Sequence, residues 1–365
     1  MLAQIPGLLE EMISAGSLSS GLCFRTSIAN GSRIIAEKRF DNAGEGLKGK
    51  GQILLPQGRF QEILMNRLAA CSQTEVRLGE RVVDFTTDSN SNSVTVHIAS
   101  ASGETRRLAA TYLIGADGAH STVRQTLGLA LEGTTLGATL VATDLSFDFA
   151  AHGFLDANFV IDAQDYGLIG RISPTDAAAP LWRVSYGLPP ALSAADIAAG
   201  VESKLARMLP NAGVDDQGEK TYTVHKVAPY TPHQRLVPTL SPAHSRTVLV
   251  GDAAHLTNPY AGLGLASGIA DASSLAAVLG RILCGRARDA EALLRAWSEA
   301  RRGVWAEAVD GVSRGAWERV RSDVGSVEKV EGLVRRDGVV RALREGRAVG
   351  GVGGLETRAG ELEGW

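Results

Sequence analysis

Two segments of this 365-residue chain share one pattern that restricts its fold more than any other feature. Tyr112-Leu-Ile-Gly115-Ala-Asp117-Gly118 and Thr247-Val-Leu-Val-Gly251-Asp252 each carry a short apolar run into a glycine and then an aspartate. A short apolar run without alternation fits a strand covered on both faces, as in a parallel sheet. Glycine lets the backbone turn sharply at the strand end. An aspartate there stands where open α/β sheets hold ligands, and its carboxylate accepts hydrogen bonds from sugar or ribityl hydroxyls.

Each turn leads toward a helix. Ser121 is a natural N-cap, and Arg124 falls in the first turn, where the helix dipole does not favour a cation. It is better explained as a partner of Asp117 or of a cofactor phosphate. After the second turn come Pro259, which stiffens the loop, and Gly262 and Gly264, over which a flat ring could approach the backbone. A helix is expected from Gly268, with Ile269, Ala272, Leu275, Ala276, Leu279 and Leu283 at helical spacing and Gly285 as its stop. The start of such a helix offers N–H groups and partial positive charge to the electron-rich edge of a polar cofactor, and a flavin suits it.

Together the motifs resemble those of the class A flavoprotein monooxygenases, the para-hydroxybenzoate and phenol hydroxylase superfamily. Gly115-Ala-Asp117-Gly118 with Ser121, Val123 and Arg124 is similar to that family's Asp-Gly motif. Gly251-Asp252-Ala253-Ala-His255 with Pro259, Gly262 and Gly264 is similar to its Gly-Asp motif, about 135 positions later. Residues from about 50 to 345 follow the family's order of segments, and Leu181–Gly187 and Asn258–Gly262 look closest to fungal members that hydroxylate phenolic metabolites.

The resemblance implies an α/β fold: a FAD/NAD(P)-binding, Rossmann-like domain, truncated at its N-terminus, with an inserted and mainly antiparallel β-sheet substrate domain. The expected divisions are 1–130 and 241–322 for the flavin domain, 131–240 for the substrate sheet and 323–365 for a charged, glycine-rich tail. It implies FAD, NADPH or NADH as co-substrate, O2, and a phenolic or aromatic small molecule, in secondary metabolism or aromatic degradation. A cytoplasmic protein, able to form a homodimer, is expected. Gln57 and Arg59 would meet the flavin's phosphate or ribityl region, and Asp252 the ribityl or pyrophosphate side. Gly251 and Ala253 would form the turn, and backbone N–H groups from Gly262 and Gly264 to Leu265 would meet the pyrimidine ring. Gly115, Asp117, Gly118 and Arg124 would support the shared flavin and nicotinamide region. Pro259 would lie where oxygen reacts, and Tyr260 nearest the substrate.

The departures are as specific. The family opens with a βαβ unit carrying Gly-x-Gly-x-x-Gly, and these 365 residues do not. The spacing at Gly44, Gly46 and Gly49 is read as a surface loop, because Pro56 and more loop follow it. The chain thus looks like a member shortened by most of its first unit. Ala266 stands where the family often has asparagine. Two alternatives remain: a non-catalytic homologue that binds only a ligand or partner, and a related flavoprotein such as a reductase or a halogenase. The halogenase Trp-x-Trp-x-Ile-Pro motif is absent.

A net charge of −3 gives no basic face for nucleic acid, and no apolar run of about 18 residues suggests a membrane span. Cys23, Cys71 and Cys284 lack metal spacing, so no metal is expected and all three are read as reduced and mostly buried. Residues 1–20 read as an amphipathic helix, 21–40 as a hairpin, and Gln57 onward as a helix with Leu64 and Leu68 inward. Val76–Leu78 and Ser93–Ile98 read as strands around the polar turn Asp88–Ser93. Ser193 begins a capping box, and residues 287–320 a helix whose Trp297, Trp305 and Trp317 are core residues. His255 is expected to be structural, bonded near the turn. Tyr166, Arg183, Tyr186 and Tyr260 are the cavity candidates.

Overall fold

The computed structural model describes residues 2–40, 52–88, 92–175, 180–347, 354–357 and 362. Gly44, Gly46 and Gly49 lie outside them, as do Gly350 to Gly353 and the tip of the 88–93 turn.

Helix α1 (Leu8–Ala15) is shorter than expected and is followed by β1 (Ser17–Leu18). The hairpin expected at 21–40 is β2 (Gly21–Thr26) against β3 (Ile34–Arg39). After β4 (Ile53–Leu54) comes α2 (Gln57–Ala69), and then a three-stranded meander of β5 (Glu80–Asp88), β6 (Ser93–Ser100) and β7 (Thr105–Ala110). Val76–Leu78 is not a strand; the pairing begins at Glu80, where alternate residues can turn Phe85 and its neighbours onto the core. The first motif forms β8 (Leu113–Gly115) and α3 (Thr122–Thr126).

The central stretch is β, as its alternation suggests: β9 (Glu132–Thr135), β10 (Thr139–Ser146), β11 (Ala157–Ile161), β12 (Gly167–Arg171) and β13 (Leu181–Leu188). Ser193 caps α4 (Ala194–Met208), its hydroxyl accepting from the Asp196 N–H at 3.1 Å. Then come β14 (Thr223–Tyr230), β15 (His233–Leu236), β16 (Thr247–Leu249) and β17 (His255–Leu256). Helix α5 (Gly264–Leu283) is followed by α6 (Ala290–Val304), a π-helical segment (Trp305–Asp310) and α7 (Gly311–Val320).

A seven-stranded sheet runs β14-β10-β13-β12-β11-β2-β3, antiparallel except where β2 meets β11. The sheet thus takes two strands from the N-terminal hairpin as well as those of the central stretch. On one face Val141, Leu145, Trp182, Val184 and Tyr186 pack beneath Ile197, Val201 and Leu205 of α4. The other face is left for the site. The flavin-motif strands β8 and β16 pair in parallel over a second core built on Val248, Leu249, Leu275, Val278 and Trp297.

Some expectations fail for identifiable reasons. In α2 the inward residues are Phe60 and Ile63, not Leu68, which is exposed; they join Leu8 and Met12 beside Ile269 of α5. Beyond Asp323, where a frayed tail was expected, α8 (Val327–Arg336) and α9 (Gly338–Arg344) bury Leu333, Val340 and Leu343 against Phe24 and Ile35 of the hairpin. Charge misled there because the helices are amphipathic: the arginines face outward while the aliphatic stripe packs. Cys23 is buried, but Cys71 and Cys284 are exposed.

Helix α5 begins at Gly264, four positions before the expected start, and its buried face is Ser267, Ala270, Asp271, Leu275 and Val278. Ala272, Ala276 and Leu283 are exposed, contrary to the apolar periodicity. Among the described residues it is the helix long and apolar enough to cross a membrane by length and composition. Its inner face is nevertheless turned to the protein by a buried carboxylate, described next.

Candidate active site

Strands β8 and β16 lie side by side with Gly115 opposite Leu249, and the Val250 N–H donates to the Gly115 carbonyl at 3.0 Å. Because the strands are parallel, Asp117 and Asp252 leave the same edge of one ribbon. Their surroundings differ. Asp117 accepts from the Ser121 hydroxyl and, at 3.1 Å, from the Val123 N–H, so it fastens the start of α3. Asp252 is exposed and has no hydrogen-bond partner among the described residues, leaving its oxygens available. Gly251, between strand and carboxylate, has φ +58°, a region that side chains seldom adopt.

Arg124 is buried and joins the two motifs. Its Nη1 donates to the Ala253 carbonyl at 3.2 Å and its Nη2 to the Ala119 carbonyl at 2.9 Å. The expected partner, Asp117, acts on it only through its field. Gly118 stands between Asp117 and Ala119 in the same turn. Gln57 and Arg59 lie on the exposed first turn of α2, where Arg59 pairs with Glu62 at 2.6 Å, and α2 packs through Phe60 and Ile63 beside Ile269 of α5.

A buried polar cluster holds the second turn in place. Asp271 accepts from the Gly251 N–H at 3.0 Å, from His255 Nε2 at 2.7 Å and from Arg301 Nε at 2.7 Å. Arg301 Nη1 continues to the Leu355 carbonyl at 2.5 Å. Burial by itself would raise the Asp271 carboxyl; the bond and charge of His255, the charge of Arg301 and the Gly251 N–H outweigh it and hold the carboxyl below the ordinary value. His255 is therefore bonded near the turn, as expected. Asp271 and Arg301 have no signal in a hydrophobic-period reading beyond being polar residues within amphipathic helices.

The loop after the turn is equally fixed. Asn258 accepts from the Tyr260 N–H at 3.2 Å, and its amide donates to the Ser313 carbonyl of α7 at 2.9 Å and to Gln234 Oε1 at 3.2 Å. Pro259 opens a 3-10 turn to Ala261, Gly262 closes it, and α5 starts at Gly264 and Leu265 with no side-chain cap. An uncapped start on a 20-residue helix leaves N–H groups and partial positive charge facing the crevice. With the free Asp252 carboxylate at one end, these donors and acceptors fit a flavin: hydroxyls at Asp252, the electron-rich ring edge at the helix start.

The same loop sets Tyr260 against the free face of the large sheet. Tyr260 packs with Leu140, Tyr166 and Trp317, its ring centroid 6.2 Å from that of Tyr166 and 5.9 Å from that of Trp317. The Tyr260 hydroxyl is buried and has no hydrogen-bond partner. Desolvation, with Tyr166 and Tyr230 adding to it, pushes this phenol well above its ordinary value, so it stays protonated. Next to it Tyr166 crosses Gly187 so closely that an added Cβ would fall inside the phenol. Along β10 and β13, Ala142 opposes Ser185 and Asp144 opposes Arg183 on this same face. Tyr186 is not part of it. Strand side chains alternate, so residues 183 and 185 face the cavity while 184 and 186 face α4, and Tyr186 packs into that opposite core.

The sequence matches the FAD_binding_3 family, described as an FAD binding domain, over residues 2–312. It is 35% identical over 273 residues to the para-nitrophenol 4-monooxygenase of Pseudomonas sp. strain WBC-3, which covers 75% of this chain and 64% of the relative. To the 6-hydroxy-3-succinoylpyridine 3-monooxygenase of Pseudomonas putida it is 34% identical over 239 residues, 64% of this chain and 56% of the relative. Both come from Pseudomonas, and the chain spans less than two thirds of either; a fungal relative, the FAD-dependent monooxygenase hkm7 of Aspergillus hancockii, is 27% identical over 317 residues, 81% of this chain and 56% of the relative. Its fold superimposes on the crystal structure of a p-nitrophenol 4-monooxygenase from Pseudomonas putida with a TM-score of 0.80 at 29% identity, over 93% of this chain and 82% of that one. With the two motifs on adjacent parallel strands and the family match across most of its length, the chain belongs to the class A FAD-dependent monooxygenases.

Proposed function

We propose that this chain forms the flavin and substrate pocket of an aromatic hydroxylase that uses FAD, NADPH or NADH, and O2 to place a hydroxyl on a phenolic ring. The observation that carries this reading is the position of Tyr260. One loop, Asn258–Gly262, joins the crevice of Asp117 and Asp252 to the free face of the sheet, so a ring on that face lies next to a ring in the crevice. The para-nitrophenol and 6-hydroxy-3-succinoylpyridine monooxygenases named above, whose names specify aromatic substrates, support the class.

When bound, FAD supplies the redox chemistry with nicotinamide and oxygen. The chain's own residues hold and shield. Asp252 accepts from hydroxyls, and the start of α5 donates N–H groups. Arg124 and the Asp271 cluster keep both turns at fixed separation, since a positioning error near 1 Å costs on the order of 100-fold in rate. Trp317, Tyr166 and Leu140 exclude water around the Tyr260 hydroxyl. That hydroxyl, protonated and unpartnered, is placed to donate to a phenolic oxygen and favour its deprotonated form. Pro259, one residue earlier, borders the crevice.

The test is NADPH consumption by the purified, FAD-supplemented chain across a panel of phenols, with hydroxylated product measured by mass. Stimulation by a phenol with matching product is expected. Flavin binding with no phenol-dependent consumption would leave a ligand-binding homologue in its place.

A further inference from the structure

The free face of the sheet carries a pair of charges. Arg183 Nε and Nη2 donate to the two Asp144 oxygens at 2.7 and 3.0 Å, a bidentate contact across directly opposed positions of β13 and β10. Between this pair and Leu140, beneath Tyr260, the floor is Ala142 opposite Ser185. Strand rise puts Leu140 and Asp144 about 13 Å apart, a separation that matches the length of one substituted ring laid along the small residues. The Arg183 side chain is exposed, while Asp144, its partner on the neighbouring strand, is largely buried. The other polar groups around this face are Ser185, whose buried hydroxyl has no hydrogen-bond partner, and Tyr230, both uncharged; Lys226, exposed on the edge strand with no ion pair to Asp144; and Arg321, whose guanidinium lies over the Tyr166 and Trp317 rings at the opposite, Leu140 end.

We infer that Asp144 is a specificity residue: by neutralising Arg183 it makes this end of the pocket accept a ring bearing a neutral polar group and reject one bearing a carboxylate. The inference rests on reading this face as the substrate site. An unpaired arginine in a partly closed pocket would attract a carboxylate strongly. Here its fork is already filled by a carboxylate of the protein, and a second anion would meet Asp144 at close range. The outer guanidinium N–H groups stay able to donate to an amide or carbonyl oxygen.

The experiment compares 4-hydroxybenzamide with 4-hydroxybenzoate, which differ chiefly in charge, by calorimetric titration of the FAD-supplemented chain. Wild type is expected to prefer the amide by about tenfold or more. Asp144→Asn is expected to shift the preference toward the carboxylate by about tenfold, and adding Arg183→Gln to that variant is expected to abolish the shift. Asp144→Ala serves the same comparison if the asparagine variant does not fold, as judged by circular dichroism. A ratio that moves less than twofold in the folded variant overturns the role of Asp144 and leaves the substrate face intact. Failure of wild type to bind either ring overturns the substrate face itself.

Discussion

His255 Nε2 and Asp271 Oδ2 meet at 2.7 Å with both side chains nearly inaccessible, tying the turn after β16 to the helix that follows it. Arg301 satisfies the other carboxylate oxygen, so three elements converge on one buried acid. Removing one member of such a cluster leaves buried charge uncompensated, at a typical cost of about 3–5 kcal/mol. Asp271→Ala should therefore lower the melting temperature by about 4–7 °C in a chain of this size, or prevent folding. An unchanged melting temperature would mean that the turn is held by something else.

Asp271 also gives the fold a dependence on pH. Its folded-state carboxyl is held below the ordinary value near 3.9, so it binds its proton less readily folded than unfolded. The stability it contributes is fully present above that value and is lost as pH falls through the depressed one. Asp162, held low in the same sense despite burial by bonds from Ser27, Asn30 and two backbone N–H groups, adds to the slope. Chemical denaturation between about pH 5 and 2 should show steep loss in wild type and a flatter, lower curve for Asp271→Asn. Parallel curves would contradict the assignment.

Tyr260→Phe separates stability from function. The hydroxyl has no partner, so its removal relieves an unsatisfied buried group and should leave the melting temperature unchanged or raise it slightly. Binding or turnover of a phenol should nevertheless fall about tenfold, the size of one lost hydrogen bond of about 1.4 kcal/mol. Normal turnover would remove the hydroxyl from the chemistry.

Gly187→Ala tests the packing of the cavity wall. The added methyl must displace Tyr166, whose phenol occupies that space. A cost of about 1–3 kcal/mol is expected from overpacking, and Tyr166→Ala in the same chain should recover part of it. Strict additivity in a double-mutant cycle would show that the two residues do not touch.

Both strand-turn motifs were legible from local chemistry: apolar runs, a glycine, an aspartate and a Ser121 cap are short-range signals. The hairpin at 21–40 and the cap at Ser193 were legible for the same reason. What could not be read depends on contacts between distant segments. The face of α5 is set by Asp271 reaching His255 and Arg301, which no periodicity of apolar residues reveals. Gln234, which accepts three hydrogen bonds from Thr257 and Asn258, lies 23 positions or more away from them. Tyr186 was grouped with Arg183, although an odd separation along a strand puts two side chains on opposite faces. Helices α8 and α9 were hidden by their arginines, because the aliphatic stripe that packs them matters only once the hairpin surface exists.

Titration of FAD into the apo-chain, followed by quenching of flavin fluorescence, tests the shared crevice most directly. Wild type should bind saturably. Asp252→Ala should weaken binding by about tenfold, an effect on the order of one charge-assisted hydrogen bond, while Asp216→Ala on the exposed 215–218 turn should leave it unchanged. Equal binding by wild type and Asp252→Ala, or no saturable binding by wild type, would contradict a flavin held between the two aspartate-bearing strand ends.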